Sequence, residues 1–113
     1  MRMLTSRTAV TWTVFVAAAA LEVGGDALIR KGMRGQGAWL LALGLVVLGS
    51  YGVLVNALRI DFSRLLGAYV GVFATVSVLV GRLVFGDRIP ASTWIGLAII
   101  LAGSLVIHTG WSR

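Results

Sequence analysis

Four long apolar stretches, separated by short charged connections, dominate this sequence of 113 residues. They cover roughly residues 10–29, 38–58, 65–85 and 92–111. Crossing the ~30 Å hydrocarbon core of a bilayer takes about 20 residues of α-helix, and backbone polar groups in lipid must be paired internally. Since strand-like alternation is absent, helices are expected rather than barrel strands. The sequence therefore predicts an all-α integral membrane protein, with one domain of four transmembrane helices over residues 1–113.

Composition excludes several other classes of protein. The chain is 58% hydrophobic and only 12% charged, which is not typical of a water-soluble domain. It has no cysteine, one histidine and four acidic residues, so no hydrolase triad, thiol nucleophile or metal-ligand cluster is expected. The ten Lys and Arg residues are spread between the apolar stretches. We therefore expect membrane lipids around the chain, and neither enzyme activity, a cofactor, a metal nor a nucleic-acid partner.

The positive charges are divided evenly between the two predicted sides of the membrane. The side that carries the N-terminus has Arg2, Arg7, Arg59, Arg64 and Arg113, and the opposite side has Arg30, Lys31, Arg34, Arg82 and Arg88. Because orientation follows the Lys/Arg bias, an unbiased chain is expected to insert both ways. Two opposite copies would form an antiparallel homodimer, the inverted repeat of many transporters. Alternatively, the first segment or a partner protein sets a single orientation.

Glu22 is the candidate binding residue, because it lies near the middle of the first apolar stretch. An ionisable group at that depth is costly and by default indicates function. Gly24 and Gly25 follow it, and their small surfaces would let a neighbouring helix enclose the carboxylate. We expect Glu22 to exchange a proton near neutral pH and to bind a cation in competition with it. The alternative is a neutral glutamic acid that only donates an interhelical hydrogen bond.

Asp26 lies one helical turn after Glu22, and Arg30 lies one turn further on the same face. Two interpretations remain open for Asp26. It forms an ion pair with Arg30 in the favourable acid-before-base order, or it is a second acidic site in the substrate pathway.

Polar and small residues in the second and third stretches complete the candidate site. Tyr69 is either a wall for a bound cation or a packing residue. Ser50, Tyr51 and Asn56 add polar groups, one of which would bond to Glu22 or Tyr69. In an antiparallel dimer the two Glu22 side chains would share one chamber, and Tyr69 and Ser50 are expected to line it. Gly71 follows Gly67 at a spacing typical of close helix packing, and it is also the expected point of helix bending.

The fourth stretch is expected to form the dimer interface. Gly96 and Gly103 are seven residues apart and share a helix face. No polar group lies between Trp94 and Gly103, so this helix is expected to contact a second copy, through Leu97 and Ile100 as well, rather than substrate.

Several short motifs resemble those of small multidrug resistance transporters and their YnfA-like relatives, within the drug/metabolite transporter superfamily. The resembling segments are 21–25 (LEVGG), 67–73 (GAYVGVF) and 96–103 (GLAIILAG), and 30–32 (RKG), 38–41 (AWLL) and 110–111 (GW) look especially YnfA-like. The resemblance implies an antiparallel dimer in the bacterial inner membrane. It also implies that the paired glutamates bind protons and cationic compounds in alternation, which gives proton-coupled efflux.

Two positions differ from the drug exporters that the chain resembles. The drug exporters carry tryptophan where this chain has Tyr69, and a second glycine where this chain has Phe73. The resemblance implies a small organic cation as substrate, such as a quaternary ammonium or guanidinium-like compound, and the two differences leave polyamines and lipid-linked sugars as alternatives. A non-transporting membrane subunit and one half of a heterodimer are the other functions that the sequence leaves open.

Overall fold

The computed structural model describes the backbone of residues 2–110 and the side chains of residues 8–110. The described part of the chain forms four α-helices and contains no strand. They are α1 (Arg2–Lys31), α2 (Ala38–Asn56), α3 (Phe62–Leu83) and α4 (Ala91–Thr109). The predicted all-α class with four helices is therefore confirmed. The features used above that lie outside the described residues are Trp111, at the end of the fourth stretch, and the side chains of Arg2, Arg7 and Arg113.

All four helices are long and apolar enough to cross a membrane. The apolar segment that includes α1 runs over Thr8–Gln36, and the other three segments coincide with α2, α3 and α4. Helices of 19 to 22 residues span about 30 Å at 1.5 Å per residue, which matches the hydrocarbon thickness. The chain is a multi-pass membrane protein.

Glycines shape the connection between α1 and α2. After α1 the chain continues in a π-helical turn over Gly32–Gln36. Gly35 within it has φ 88° and Gly37 after it has φ 124°, which residues with a Cβ rarely adopt. The Gly37 carbonyl accepts a 3.1 Å hydrogen bond from the Leu40 N–H, and α2 begins there. The turn reverses the chain within a few residues.

The connection between α3 and α4 is held by one glycine and one proline. Gly86 has φ 69°, and the Asp87 N–H donates to the Gly81 carbonyl at 2.9 Å. Pro90 precedes α4, where its missing N–H costs nothing, and its carbonyl accepts from the Thr93 N–H at 3.0 Å. These two hydrogen bonds connect the loop to the end of α3 and the start of α4.

The chain forms two compact units, each a pair of packed helices. The first unit, Met1–Leu58, contains α1 and α2, and its most buried large side chains are Phe15 and Val55. The second unit, Arg59–Arg113, contains α3 and α4, and its buried side chains include Leu65 and Ser104.

Candidate functional site

Glu22 lies at the midpoint of the apolar segment Thr8–Gln36 and is partly buried. Its carboxylate interacts electrostatically with Tyr51 of α2, which is also partly buried. Buried alanines, Ala18 and Ala19, precede Glu22 on α1. A carboxylate and a phenol hydroxyl are therefore close enough to interact within one apolar helix pair, which is an arrangement that can hold a proton or a cation.

Two glycines bring α1 and α2 into backbone contact one turn from Glu22. A Cβ on Gly25 would lie 3.0 Å from the Gly44 carbonyl oxygen and 3.0 Å from the Leu48 nitrogen. A Cβ on Gly44 would lie 2.7 Å from Cγ1 of Ile29. The sequence predicted that Gly25 offers a small surface beside the carboxylate. In the structure, Gly25 and Gly44 set how closely α2 approaches α1.

Ser50 and Tyr51 are neighbours on α2, but they differ in surroundings. Ser50 is exposed, and its Oγ donates to the Val46 carbonyl of its own helix at 3.0 Å. Consecutive residues on a helix point about 100° apart. The sequence left open which of Ser50, Tyr51 and Asn56 would bond to Glu22 or Tyr69, and the structure gives Tyr51 an electrostatic interaction with Glu22. The role proposed for Ser50 in substrate binding stays a prediction.

Asp26 is exposed and lies one turn after Glu22, directly after Gly25. Both interpretations of Asp26, the ion pair with Arg30 and the second acidic site, stay predictions.

Tyr69 lies in the second unit and is only 3% exposed. Its ring is tilted by 37° against the ring of Phe73, with the centroids 6.3 Å apart. The two aromatic residues follow one another by one turn on α3. Packing of the Tyr69 ring is thus part of its role, and its predicted contact with a cation stays a prediction.

Ser104 is a buried polar residue that the sequence analysis did not single out. It is 2% exposed, and its Oγ accepts a hydrogen bond of 2.9 Å from the Gly71 N–H of α3. The same oxygen lies 3.0 Å from the Gly67 carbonyl oxygen and 2.5 Å from that of Ala68. The available signal was a serine within an apolar stretch, seven residues after Leu97 and therefore on the same face of α4.

The predicted dimer residues lie on two faces of α4. Added Cβ atoms on Gly96 and Gly103 would meet nothing within 4 Å, and Ile100 is 40% exposed. Leu97 is 7% exposed and is buried on the Ser104 face instead. The glycine face is open in the single chain, and its contact with a second copy stays a prediction.

A model of the family described as "Uncharacterised BCR, YnfA/UPF0060 family" matches residues 8–113. A UPF0060 membrane protein of Streptomyces coelicolor is 40% identical over 97 residues, which are 83% of this chain and 86% of the relative. A UPF0060 membrane protein of Saccharopolyspora erythraea is 42% identical over 97 residues, 83% of this chain and 87% of the relative. No solved structure matches the chain.

The relatives are bacterial and are named as membrane proteins, in agreement with the four apolar helices. The predicted multi-pass location in a bacterial membrane is therefore confirmed. Among the described residues, no group of three or more His, Asp or Glu side chains is placed to hold a metal ion. The chain belongs to the YnfA/UPF0060 family of the small multidrug resistance and drug/metabolite transporter superfamily, as its motifs indicated.

Proposed function

We propose that this protein is a proton-coupled secondary transporter that exports small organic cations, with Glu22 as the shared site for proton and substrate. The observation that carries the proposal is an acidic side chain at the midpoint of a membrane-spanning segment, which interacts electrostatically with the hydroxyl-bearing Tyr51. Ionisable residues at that depth are rare in membrane proteins and generally lie on ion or substrate pathways.

Coupling between proton and cation follows from their competition for one carboxylate. When Glu22 is protonated, a cation loses its counter-charge and leaves. When a cation binds, the proton is displaced. Each ligand therefore lowers the affinity of the other by the same factor, as linkage requires. Alternating access of the site to the two sides of the membrane turns this competition into exchange.

The same proposal includes an antiparallel pair of copies with their Glu22 side chains in a shared chamber. Support comes from the even distribution of Lys and Arg between the two sides, which gives no preferred orientation. It also comes from α4, whose Gly96 and Gly103 have open space beside them. Small residues at this spacing let two helix backbones approach closely in a membrane.

Close packing of α1 on α2 keeps the carboxylate in a defined place. The Gly25 and Gly44 contact lies one turn from Glu22, so the distance between the carboxylate and Tyr51 depends on it. A non-transporting subunit would need only an interhelical hydrogen bond from Glu22. The partly buried position of Glu22 leaves part of its surface accessible for a ligand.

The test is proton release from purified protein in detergent when a cation is added. Tetrabutylammonium, guanidinium and spermidine are the probes, and Glu22→Gln is compared with Asp26→Asn as the control one turn away. We expect the wild type and Asp26→Asn to release protons on addition of at least one probe, and Glu22→Gln to release none. The glutamine variant has the same shape but no titratable group.

Two results would contradict the proposal. Unchanged release in Glu22→Gln would remove Glu22 as the exchange site. No release from the wild type with any probe would favour a non-cationic substrate or a non-transporting subunit.

A further inference from the structure

Ser104 places a hydroxyl from α4 within the backbone hydrogen-bond pattern of α3. In a regular α-helix the Gly71 N–H pairs with the Gly67 carbonyl four residues earlier. The Ser104 Oγ lies 2.9 Å from the Gly71 nitrogen and 3.0 Å from the Gly67 oxygen, so it contacts both members of that pair. The Ala68 oxygen is also within 2.5 Å.

A serine hydroxyl can satisfy a backbone donor and a backbone acceptor at the same time. It has one O–H donor and two acceptor lone pairs. Ser104 can thus accept from the Gly71 N–H while it donates to the Ala68 or the Gly67 carbonyl. The hydroxyl bridges two backbone groups that would otherwise depend on each other alone.

Gly71 is needed for this approach. A Cβ at that position would lie 2.7 Å from both Cβ and Oγ of Ser104. The Gly71 carbonyl has a side-chain partner of its own, because the Thr75 Oγ1 donates to it at 2.8 Å. Both backbone polar groups of Gly71 therefore have side-chain partners in this part of α3.

Helices bend where a side chain enters their hydrogen-bond ladder, and within lipid a bend must leave no backbone group unpaired. We propose that Ser104 is the positioning residue of a hinge in α3: its hydroxyl keeps the backbone groups of Gly67, Ala68 and Gly71 paired while the helix bends between them. Because the hydroxyl comes from α4, bending of α3 is tied to the position of α4.

The hinge lies beside Tyr69, so bending changes the direction in which that ring and the rest of α3 extend. The consequence for transport rests on the proposed function: loss of the hydroxyl slows the change between the two access states and leaves substrate affinity nearly unchanged. The shape of α3 can be measured without any assumption about transport.

The experiment measures the distance between the two ends of α3. The chain has no cysteine, so spin labels can be attached at Ser63→Cys and Leu83→Cys, both exposed and about 30 Å apart along a straight helix. The full chain is placed in lipid nanodiscs, with labelled chains diluted by unlabelled ones. Pulsed electron paramagnetic resonance then gives the distance distribution in the labelled background, in Ser104→Ala and in Ser77→Ala.

Ser77→Ala is the matched control, because the Ser77 Oγ donates to the Ala74 carbonyl of its own helix at 2.9 Å. We expect Ser104→Ala to narrow the distribution around a single distance, and Ser77→Ala to leave it as in the labelled background. Ser104→Thr keeps the hydroxyl and is expected to keep the broader distribution. Coinciding distributions in Ser104→Ala and the labelled background would overturn the hinge, as would an equal change in Ser77→Ala.

Transport kinetics form the second readout. We expect kcat to fall about fivefold in Ser104→Ala while KM stays within about twofold, since one interhelical hydrogen bond of moderate strength is lost. A changed distance distribution in a protein that transports no cation would support the hinge and count against the proposed function. An equal loss of kcat in Ser77→Ala would overturn the special role of Ser104.

Discussion

Gly25 on α1 and Gly44 on α2 lie so close that a Cβ on Gly44 would be 2.9 Å from the Gly25 carbonyl oxygen. A Cβ on Gly25 would in turn be 3.0 Å from the Gly44 oxygen. Contact of this kind joins two helix backbones without side chains between them. Since van der Waals packing is the main attraction between helices in lipid, this crossing largely sets the geometry of the first unit.

Replacement of Gly44 by alanine is expected to separate α1 from α2. The new methyl group would lie 2.7 Å from Cγ1 of Ile29 and 3.0 Å from its backbone nitrogen, so the helices must shift. Overpacking of this kind costs about 1–3 kcal/mol of unfolding free energy. The measurement is unfolding of the purified protein by sodium dodecyl sulfate, followed by circular dichroism.

Gly49→Ala on the same helix is the control, because nothing lies within 4 Å of its added Cβ. Its unfolding free energy should stay the same or rise by up to about 1 kcal/mol, since alanine favours the helix over glycine. Equal destabilisation by both variants would mean that the close crossing at Gly44 is not special.

Removal of the Tyr51 hydroxyl is expected to weaken cation binding at Glu22. The two side chains interact electrostatically across the α1 and α2 pair, and the phenol hydroxyl contributes to the polarity of an otherwise apolar site. In Tyr51→Phe we expect an apparent cation affinity about threefold to tenfold lower, since a polar contact between membrane helices is worth roughly 1 kcal/mol. Isothermal titration calorimetry with tetrabutylammonium measures it.

Ser50→Ala provides the comparison for Tyr51→Phe, because the Ser50 hydroxyl donates to Val46 of its own helix. A smaller loss of affinity is expected in Ser50→Ala than in Tyr51→Phe, since the Ser50 hydroxyl already has a partner on its own helix. A larger loss in Ser50→Ala than in Tyr51→Phe would make Ser50 the main α2 residue of the site.

Arg64 is expected to hold the end of α4. Its Nη2 donates to the His108 carbonyl at 2.8 Å, at a helix terminus where carbonyls lack helical partners and a cation is favourable. In Arg64→Gln, amide hydrogen exchange in the last turn of α4 should become about two- to fivefold faster, in line with a loss of roughly 0.3–1 kcal/mol. Mass spectrometry of the protein in nanodiscs measures the exchange.

Arg59→Gln removes the same charge from the same predicted side of the membrane and so controls for any effect on orientation. Arg59 is exposed in the segment that precedes α3, and its replacement should leave exchange in α4 unchanged. Faster exchange in both variants would attribute the effect to charge rather than to the contact with His108.

The number and type of the helices were predictable because the bilayer sets both the length of an apolar stretch and the need for internal hydrogen bonds. The residues at which the helices begin and end were less predictable. Apolar character begins near residue 10, but the structure starts α1 at Arg2, since a helix can continue beyond the apolar region wherever its backbone pairs. After the connection between α2 and α3, helix α3 starts at Phe62 rather than near residue 65.

In the candidate site, too, some features were predictable from the sequence and others were not. Glu22 was identifiable because an ionisable residue in an apolar stretch stands out without any knowledge of its neighbours. The choice between Ser50 and Tyr51 depends on how α2 is rotated about its axis, and adjacent residues differ by about 100°. Ser104 was missed for a related reason: which face of α4 packs against α3 depends on the contact with Gly71, which lies 33 positions away in the chain.

Orientation in the membrane should respond to a single added lysine. The even distribution of Lys and Arg predicts that a C-terminal fluorescent reporter and a C-terminal alkaline phosphatase reporter, which are active on opposite sides, both give signal in the wild type. Ser63→Lys adds a charge on the predicted N-terminal side and should increase fluorescence at the expense of phosphatase activity. Gln36→Lys adds one on the opposite side and should do the reverse. A wild type active with one reporter alone, and unmoved by either lysine, would show a fixed orientation and would remove the basis for an antiparallel pair of identical chains.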